Sequence, residues 1–125
     1  MDVQTNNIDV LTLAYLGDAV YEVYIRENLI NKNICKIDQL QKQAICYVSA
    51  YGQVKFLNYL INNNVLSESE FDIVKRGRNN KRSAHPKNTD ILTYKHATGL
   101  EALIGYLYLS NQNRLKEILA YVWEV

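Results

Sequence analysis

Leu16-Gly17-Asp18-Ala19-Val20-Tyr21-Glu22 is the stretch on which the reading of the chain turns. It lies within residues 8–30, where Leu13, Leu16, Val20 and Val23 recur at helical spacing and predict a buried stripe. Beside that stripe run Leu11, Tyr15, Asp18, Glu22 and Ile25, a mixed line suited to a face turned toward a cleft or a partner. Gly17 costs up to about 1 kcal/mol against alanine in a helix interior, so it predicts something packed or bound close to the backbone. Taken alone, Asp18 has two readings: a solvated acid on a helix face, or a ligand.

Working outward, most of the chain repeats the helical pattern. Asn31-Lys32-Asn33 reads as a turn, and Asp38 as the cap of a helix carrying Leu40, Ala44, Tyr47 and Val48. Ala50-Tyr51-Gly52 should interrupt or bend it before Val54, Phe56, Leu57, Leu60 and Ile61 resume the spacing. After the polar triplet Asn62-Asn63-Asn64, Ser67 and Glu70 have the capping-box spacing and predict a fourth helix start. From about Thr89 helix resumes, and residues 97–109 are apolar at nearly every position except Thr98 and Glu101, which predicts a central buried helix. A short turn at residues 110–113 precedes a last amphipathic helix with Leu115, Ile118, Leu119 and Val122. The expected fold class is all-α, a compact bundle of about six to seven helices.

Composition sets the bounds. At 125 residues the chain suits a single domain, residues 1–125, able to bury a core without a structural metal or disulfides. Its apolar content of 48% with 22% charged residues is that of an ordinary globular protein, and one Pro with five Gly leaves few helix breaks. Cys35 and Cys46 lack metal-site spacing and read as reduced core residues. The N-terminus carries no basic and apolar leader pattern, and no apolar run reaches the roughly 18 residues that span a bilayer, so a cytoplasmic protein is expected. Ten tyrosines are many, but Tyr21, Tyr24, Tyr106 and Tyr108 fall within helical segments and suit core and interface packing.

The net charge of +1 says nothing of a polyanionic partner, but its distribution does. Lys75, Arg76, Arg78, Lys81, Arg82 and Lys87 follow one another without an acidic residue between them. Gly77, Asn79-Asn80, Ser83 and Pro86 predict a largely non-helical basic loop. Such runs are usually solvated loops. Arg76-Gly77-Arg78-Asn79, however, offers forked guanidinium groups, a permissive backbone and a side-chain amide suited to phosphate and sugar contacts.

Glu101 is the second acid that needs a reason. Bounded by Leu100, Ala102, Leu103 and Ile104, it should be buried only with a partner: a cation in a structural salt bridge, or a metal shared with Asp18. Hard carboxylate oxygens suit Mg²⁺, which takes one or two of them and keeps several waters. Phosphate contacts by Arg76, Arg78 and Lys81 beside such a metal would make a phosphodiesterase. His85 and His96 pair with no nucleophile and read as surface or loop residues.

With these residues in view, a resemblance becomes specific. Residues 15–20, Tyr-Leu-Gly-Asp-Ala-Val, resemble the signature helix of the ribonuclease III family, and residues 100–105, Leu-Glu-Ala-Leu-Ile-Gly, its later catalytic helix. Residues 13–22, Arg76-Gly77-Arg78-Asn79, Pro86-Lys87-Asn88-Thr89-Asp90 and residues 97–102 together resemble the Mini-ribonuclease III branch, over nearly the whole chain. The resemblance implies a ribonuclease III-like endonuclease domain without a double-stranded-RNA-binding domain. It further implies a homodimer and Mg²⁺-dependent cleavage of double-stranded RNA to 5′-phosphate and 3′-hydroxyl ends, with Mn²⁺ as a substitute ion. The implied role is maturation of large-subunit (23S) ribosomal RNA, with a ribosomal protein as a candidate partner.

By position, Asp18 and Glu101 match the catalytic, metal-binding acids. Arg76, Arg78, Asn79, Lys81, Arg82 and Lys87 form the expected RNA-binding set, which would grip phosphates and 2′-hydroxyls of an A-form duplex. Larger members carry further acids four positions before the aspartate and three before the glutamate. Here those positions hold Ala14 and Thr98, so water or RNA phosphate must complete the coordination. The alternative function is a non-catalytic RNA-binding or ribosome-assembly module on the same scaffold; a helical protein-interaction domain is a third reading.

Overall fold

The computed structural model describes residues 5–34, 36–81 and 90–125. Among the described residues six α-helices succeed one another: α1 Val10–Asn31, α2 Ile37–Val48, α3 Ala50–Asn62, α4 Glu68–Arg78, α5 Ile91–Ser110 and α6 Gln112–Ala120. Short 3-10 turns lie at Thr5–Asn7 and Tyr121–Glu124, and there is no strand among the described residues. The all-α expectation is met. As expected from its composition, α5 is the central element, packing on α1, α3, α4 and α6 and burying Leu100, Leu103 and Ile104 completely.

Helix ends follow local chemistry. Asp9 caps α1 through the amide of Leu11, and Asn33 and Asn64 take positive φ in the turns that follow α1 and α3. The capping box at Ser67 and Glu70 forms as predicted, each side chain receiving the other's backbone N–H. Glu70 does more than cap: Arg114 of α6 donates to both its oxygens at 2.8 and 2.9 Å and to the Val65 carbonyl at 2.7 Å. That two-pronged bond holds the Glu70 carboxyl below the usual carboxylate range and pins α6 to the start of α4.

Several expectations are corrected. The residue before α2 is Lys36, with Asp38 in the first turn rather than at the cap. The break between α2 and α3 falls at Ser49, whose hydroxyl accepts from Gly52 N at 3.1 Å, and not within residues 50–52. Asn111 alone joins α5 to α6, ending one helix and capping the next. Cys46 is an exposed free thiol on α2 rather than a core residue, while Cys35 lies outside the described residues. Of the tyrosines placed in packing roles, Tyr21 is buried against Phe56, whereas Tyr108 is 41% exposed.

The largest correction concerns the face of α1. Its buried line runs through Val10, Leu13, Ala14, Gly17, Tyr21, Ile25 and Leu29, whereas Val23 is exposed and Leu16 and Val20 only half-buried. Hydrophobic spacing alone favoured the larger side chains, but the helix is oriented by its glycine. A Cβ at Gly17 would stand 1.8 Å from the Glu101 carbonyl oxygen, and one at Gly105 would stand 2.0 Å from that of Leu13. The two glycines let α1 and α5 cross with their backbones in contact, and every other residue of α1 is turned accordingly.

Candidate active site at the crossing of α1 and α5

That crossing determines where the two acids go. Gly17 faces α5, so Asp18, the next residue, sits at the edge of the crossing and is exposed to solvent. Glu101 lies half-buried on the facing turn of α5. Their carboxyl groups are close enough for a hydrogen bond when one of them is protonated. Burial is the main cause that pushes the Glu101 carboxyl up to about 8, followed by the charge of Asp18 and the bond to it. Glu22, one turn beyond Asp18 and ion-paired to Arg26 at 3.3 Å, adds negative charge from farther away.

One side chain stands behind Glu101. Gln53 of α3 donates from Nε2 to Glu101 Oε2 at 3.4 Å and to the Val48 carbonyl at 3.1 Å. It opposes the upward shift, because a donor favours the ionised carboxylate. Sequence reading missed this residue, although one signal was available: Gln53 occupies a core position on the line Gln53, Phe56, Leu57 and Leu60. Ala14 and Thr98, at the positions where larger relatives would carry acids, both turn inward, and the Thr98 hydroxyl donates to the Tyr94 carbonyl at 3.0 Å. No group of three or more potential metal-binding side chains exists among the described residues, so the site offers a carboxylate pair.

The basic segment departs from its expected form. Helix α4 continues through Lys75, Arg76, Gly77 and Arg78, with Asn79 as its terminal cap, so the first half of the supposed loop is helical. A second backbone crossing is the reason: a Cβ at Gly77 would meet Gly99 Cα at 2.8 Å, and one at Gly99 the Val74 carbonyl at 2.6 Å. Cations also suit the last turn of a helix, where the backbone carbonyls are unpaired. Lys75 is paired with Asp72 at 3.3 Å, Arg76 and Lys81 are exposed, and Arg78 is half-buried. Arg82, Lys87 and His85 lie outside the described residues. His96 is on α5 and half-buried rather than in a loop, and burial and then the Arg78 charge lower its pKa.

Comparison with known proteins decides the family. The Ribonuclease III domain family matches residues 11–112. Proteins called Mini-ribonuclease 3 are similar over most of the chain: 46% identical in Symbiobacterium thermophilum, covering 87% of this chain and 83% of that one, and 40% in Streptococcus pneumoniae, covering 95% and 94%. The chain belongs to the ribonuclease III family. A crystal structure of a Fusobacterium nucleatum protein superposes with a TM-score of 0.81 at 34% identity, covering 94% of this chain and 93% of that one. As a ribonuclease III protein of the Mini-ribonuclease 3 kind, it is an endoribonuclease. Among the described residues no helix is long and apolar enough to cross a membrane.

The raised Glu101 pKa has a measurable consequence for the ribonuclease III domain. A carboxyl whose folded pKa lies near 8 against about 4.5 unfolded contributes stability fully present below about 4.5 and lost as pH rises through about 8. In EDTA, melting temperature should therefore fall between pH 5 and 8 by about 10 °C on this account, and Glu101→Gln should remove that fall. Parallel melting curves for the two proteins across this range would rule out the shift.

Proposed function

We propose that this endoribonuclease cuts double-stranded RNA by metal-dependent hydrolysis, with Asp18 and Glu101 as metal ligands and with Arg76, Arg78, Asn79 and Lys81 on the RNA backbone. The observation that carries the reading is the carboxylate pair at the α1–α5 crossing. Two acids whose negative charges act on each other form a site where a divalent cation relieves their repulsion. Hard oxygens, one acid at the solvent edge and no third ligand among the described residues fit Mg²⁺, which keeps waters and accepts substrate oxygens, with Mn²⁺ as a substitute. Bound there, the ion supplies charge neutralisation at the phosphate and a more acidic attacking water.

The chain's own groups divide the remaining work. Asp18, exposed at the rim, faces the side from which a phosphodiester can approach, while Glu101 is held from inside. Water adds its oxygen to phosphorus, the bond to the 3′ oxygen breaks, and that oxygen takes up a proton, giving 5′-phosphate and 3′-hydroxyl ends. Exposed Arg76 and Lys81 and the end of α4 meet phosphates and 2′-hydroxyls, because the A-form major groove is too deep and narrow to read. Arg82 and Lys87 complete the proposed binding set.

A homodimer belongs to this reading, since two sites related by a two-fold axis can address both strands. Tyr15, exposed on α1 one turn before Asp18, supports an axis near that helix. The proposed biological substrate is precursor 23S ribosomal RNA in the cytoplasm, with a ribosomal protein as the proposed presenting partner. Likeness to Mini-ribonuclease 3 proteins supports this assignment.

A duplex-RNA cleavage assay tests the core of the proposal. Cutting is expected in Mg²⁺ and none in EDTA; an intact duplex in Mg²⁺, or cutting undiminished by EDTA, rejects it. For the basic surface, Arg76→Ala combined with Arg78→Ala should reduce the slope of log affinity against log salt by about 2, as two phosphate contacts are lost. An unchanged slope in Ca²⁺ would remove both arginines from the interface.

A further inference from the structure

Gln53 is an unusual residue for its surroundings. It faces inward from α3 in line with Phe56, Leu57 and Leu60 and is 3% exposed. A buried amide without partners is costly, and an apolar side chain would fill the same space at no such cost. Its Nε2 reaches two acceptors on different elements: the carbonyl of Val48, the last residue of α2, at 3.1 Å, and Glu101 Oε2 at 3.4 Å. Its Oε1 is buried with no hydrogen-bond partner among the described residues. The amide therefore has one workable orientation, since turning it over would set its oxygen against two other oxygens.

We propose that Gln53 is a positioning residue of the active site, which ties one carboxylate oxygen of Glu101 to the α2–α3 corner and so aims the other at the shared cation. The inference rests on the reading of Asp18 and Glu101 as metal ligands. A glutamate side chain has three rotatable bonds, and a carboxylate near another acid tends to turn away from it. Holding Oε2 from behind removes that freedom. The anchor is itself fixed, because Val48 ends a helix and Ser49 caps the next one. Partners of this kind around metal ligands typically change metal affinity or activity 10–100-fold when removed.

The test uses the full chain freed of metal, with Mn²⁺ binding followed by electron paramagnetic resonance in wild type, Gln53→Met, Gln53→Asn and Asp18→Asn. Gln53→Met keeps the volume without the donor, and Gln53→Asn keeps an amide but withdraws it by one methylene. Both should raise the Mn²⁺ dissociation constant about tenfold and lower kcat with little change in KM, while duplex affinity in saturating Ca²⁺ stays within about twofold. A purely structural role would lower the melting temperature and leave Mn²⁺ affinity at the wild-type value. If either folded Gln53 variant binds Mn²⁺ like wild type while Asp18→Asn binds it weakly, the positioning role is overturned and the metal site stands. If Asp18→Asn also binds like wild type, the metal reading falls and the positioning role with it.

Discussion

Asp18→Asn is expected to slow cleavage of duplex RNA by about a thousandfold or more, while affinity for the duplex in Ca²⁺ stays within about twofold. The substitution keeps the shape of the side chain and replaces an anionic pair of oxygens by a neutral amide with one. On the proposed reading, a metal site of two carboxylates then loses half of its ligand charge, and no third acid stands by among the described residues to replace it. The adjacent positions cannot help, since Ala14 has no donor atom and the Thr98 hydroxyl is spent on the Tyr94 carbonyl. Because Asp18 is exposed, the fold loses little. Indeed the metal-free variant should be slightly more stable above pH 7, where the charge of Asp18 is one of the causes that raise the Glu101 pKa. Single-turnover cleavage and filter binding measure the two quantities separately. A variant that cuts at the wild-type rate removes Asp18 from the catalytic site.

Gly17→Ala should be the most damaging single-methyl change in the chain. In an ordinary exposed helix, glycine to alanine gains up to about 1 kcal/mol. Here the new Cβ would lie 1.8 Å from the Glu101 carbonyl oxygen, 2.7 Å from its carbon and 2.9 Å from Gly105 N. All three are backbone atoms that no rotamer change can move. The helices must separate, at a cost of about 3 kcal/mol, which is a fall of roughly 10 °C in melting temperature. Activity should fall further than the folded fraction does, because separating α1 from α5 also separates Asp18 from Glu101. Thermal unfolding of Gly17→Ala beside Ala19→Gly, an exposed neighbour, measures the effect. A melting point at or above that of wild type would show that the crossing tolerates a side chain.

The two acids could be singled out in the sequence because each breaks a local pattern, one beside a helix-interior glycine and the other inside the most apolar helix. Their juxtaposition is a structural fact. Gln53 went unread because a lone amide on an apolar stripe looks like imperfect patterning until its partners, five and 48 positions away, are known. The helical course of Arg76 and Arg78 was hidden for a related reason. Gly77 and the neighbouring asparagines predict a break on local propensity, but packing of Gly77 on Gly99 outweighs a propensity cost of about 1 kcal/mol.

By itself the sequence determined the all-α class, the central place of α5, the capping box of Ser67 and Glu70 and the two candidate acids. These depend on periodicity and on contacts within a few residues, which the order of residues states directly. Tertiary structure alone decided which face of α1 is buried, how far α4 extends and what stands behind Glu101. Each of these follows from a meeting between helices distant in sequence, Gly17 with Glu101, Gly77 with Gly99 and Gln53 with Glu101. At the two crossings, what permits the approach is a missing side chain, and what a glycine will touch is not written in the residues around it.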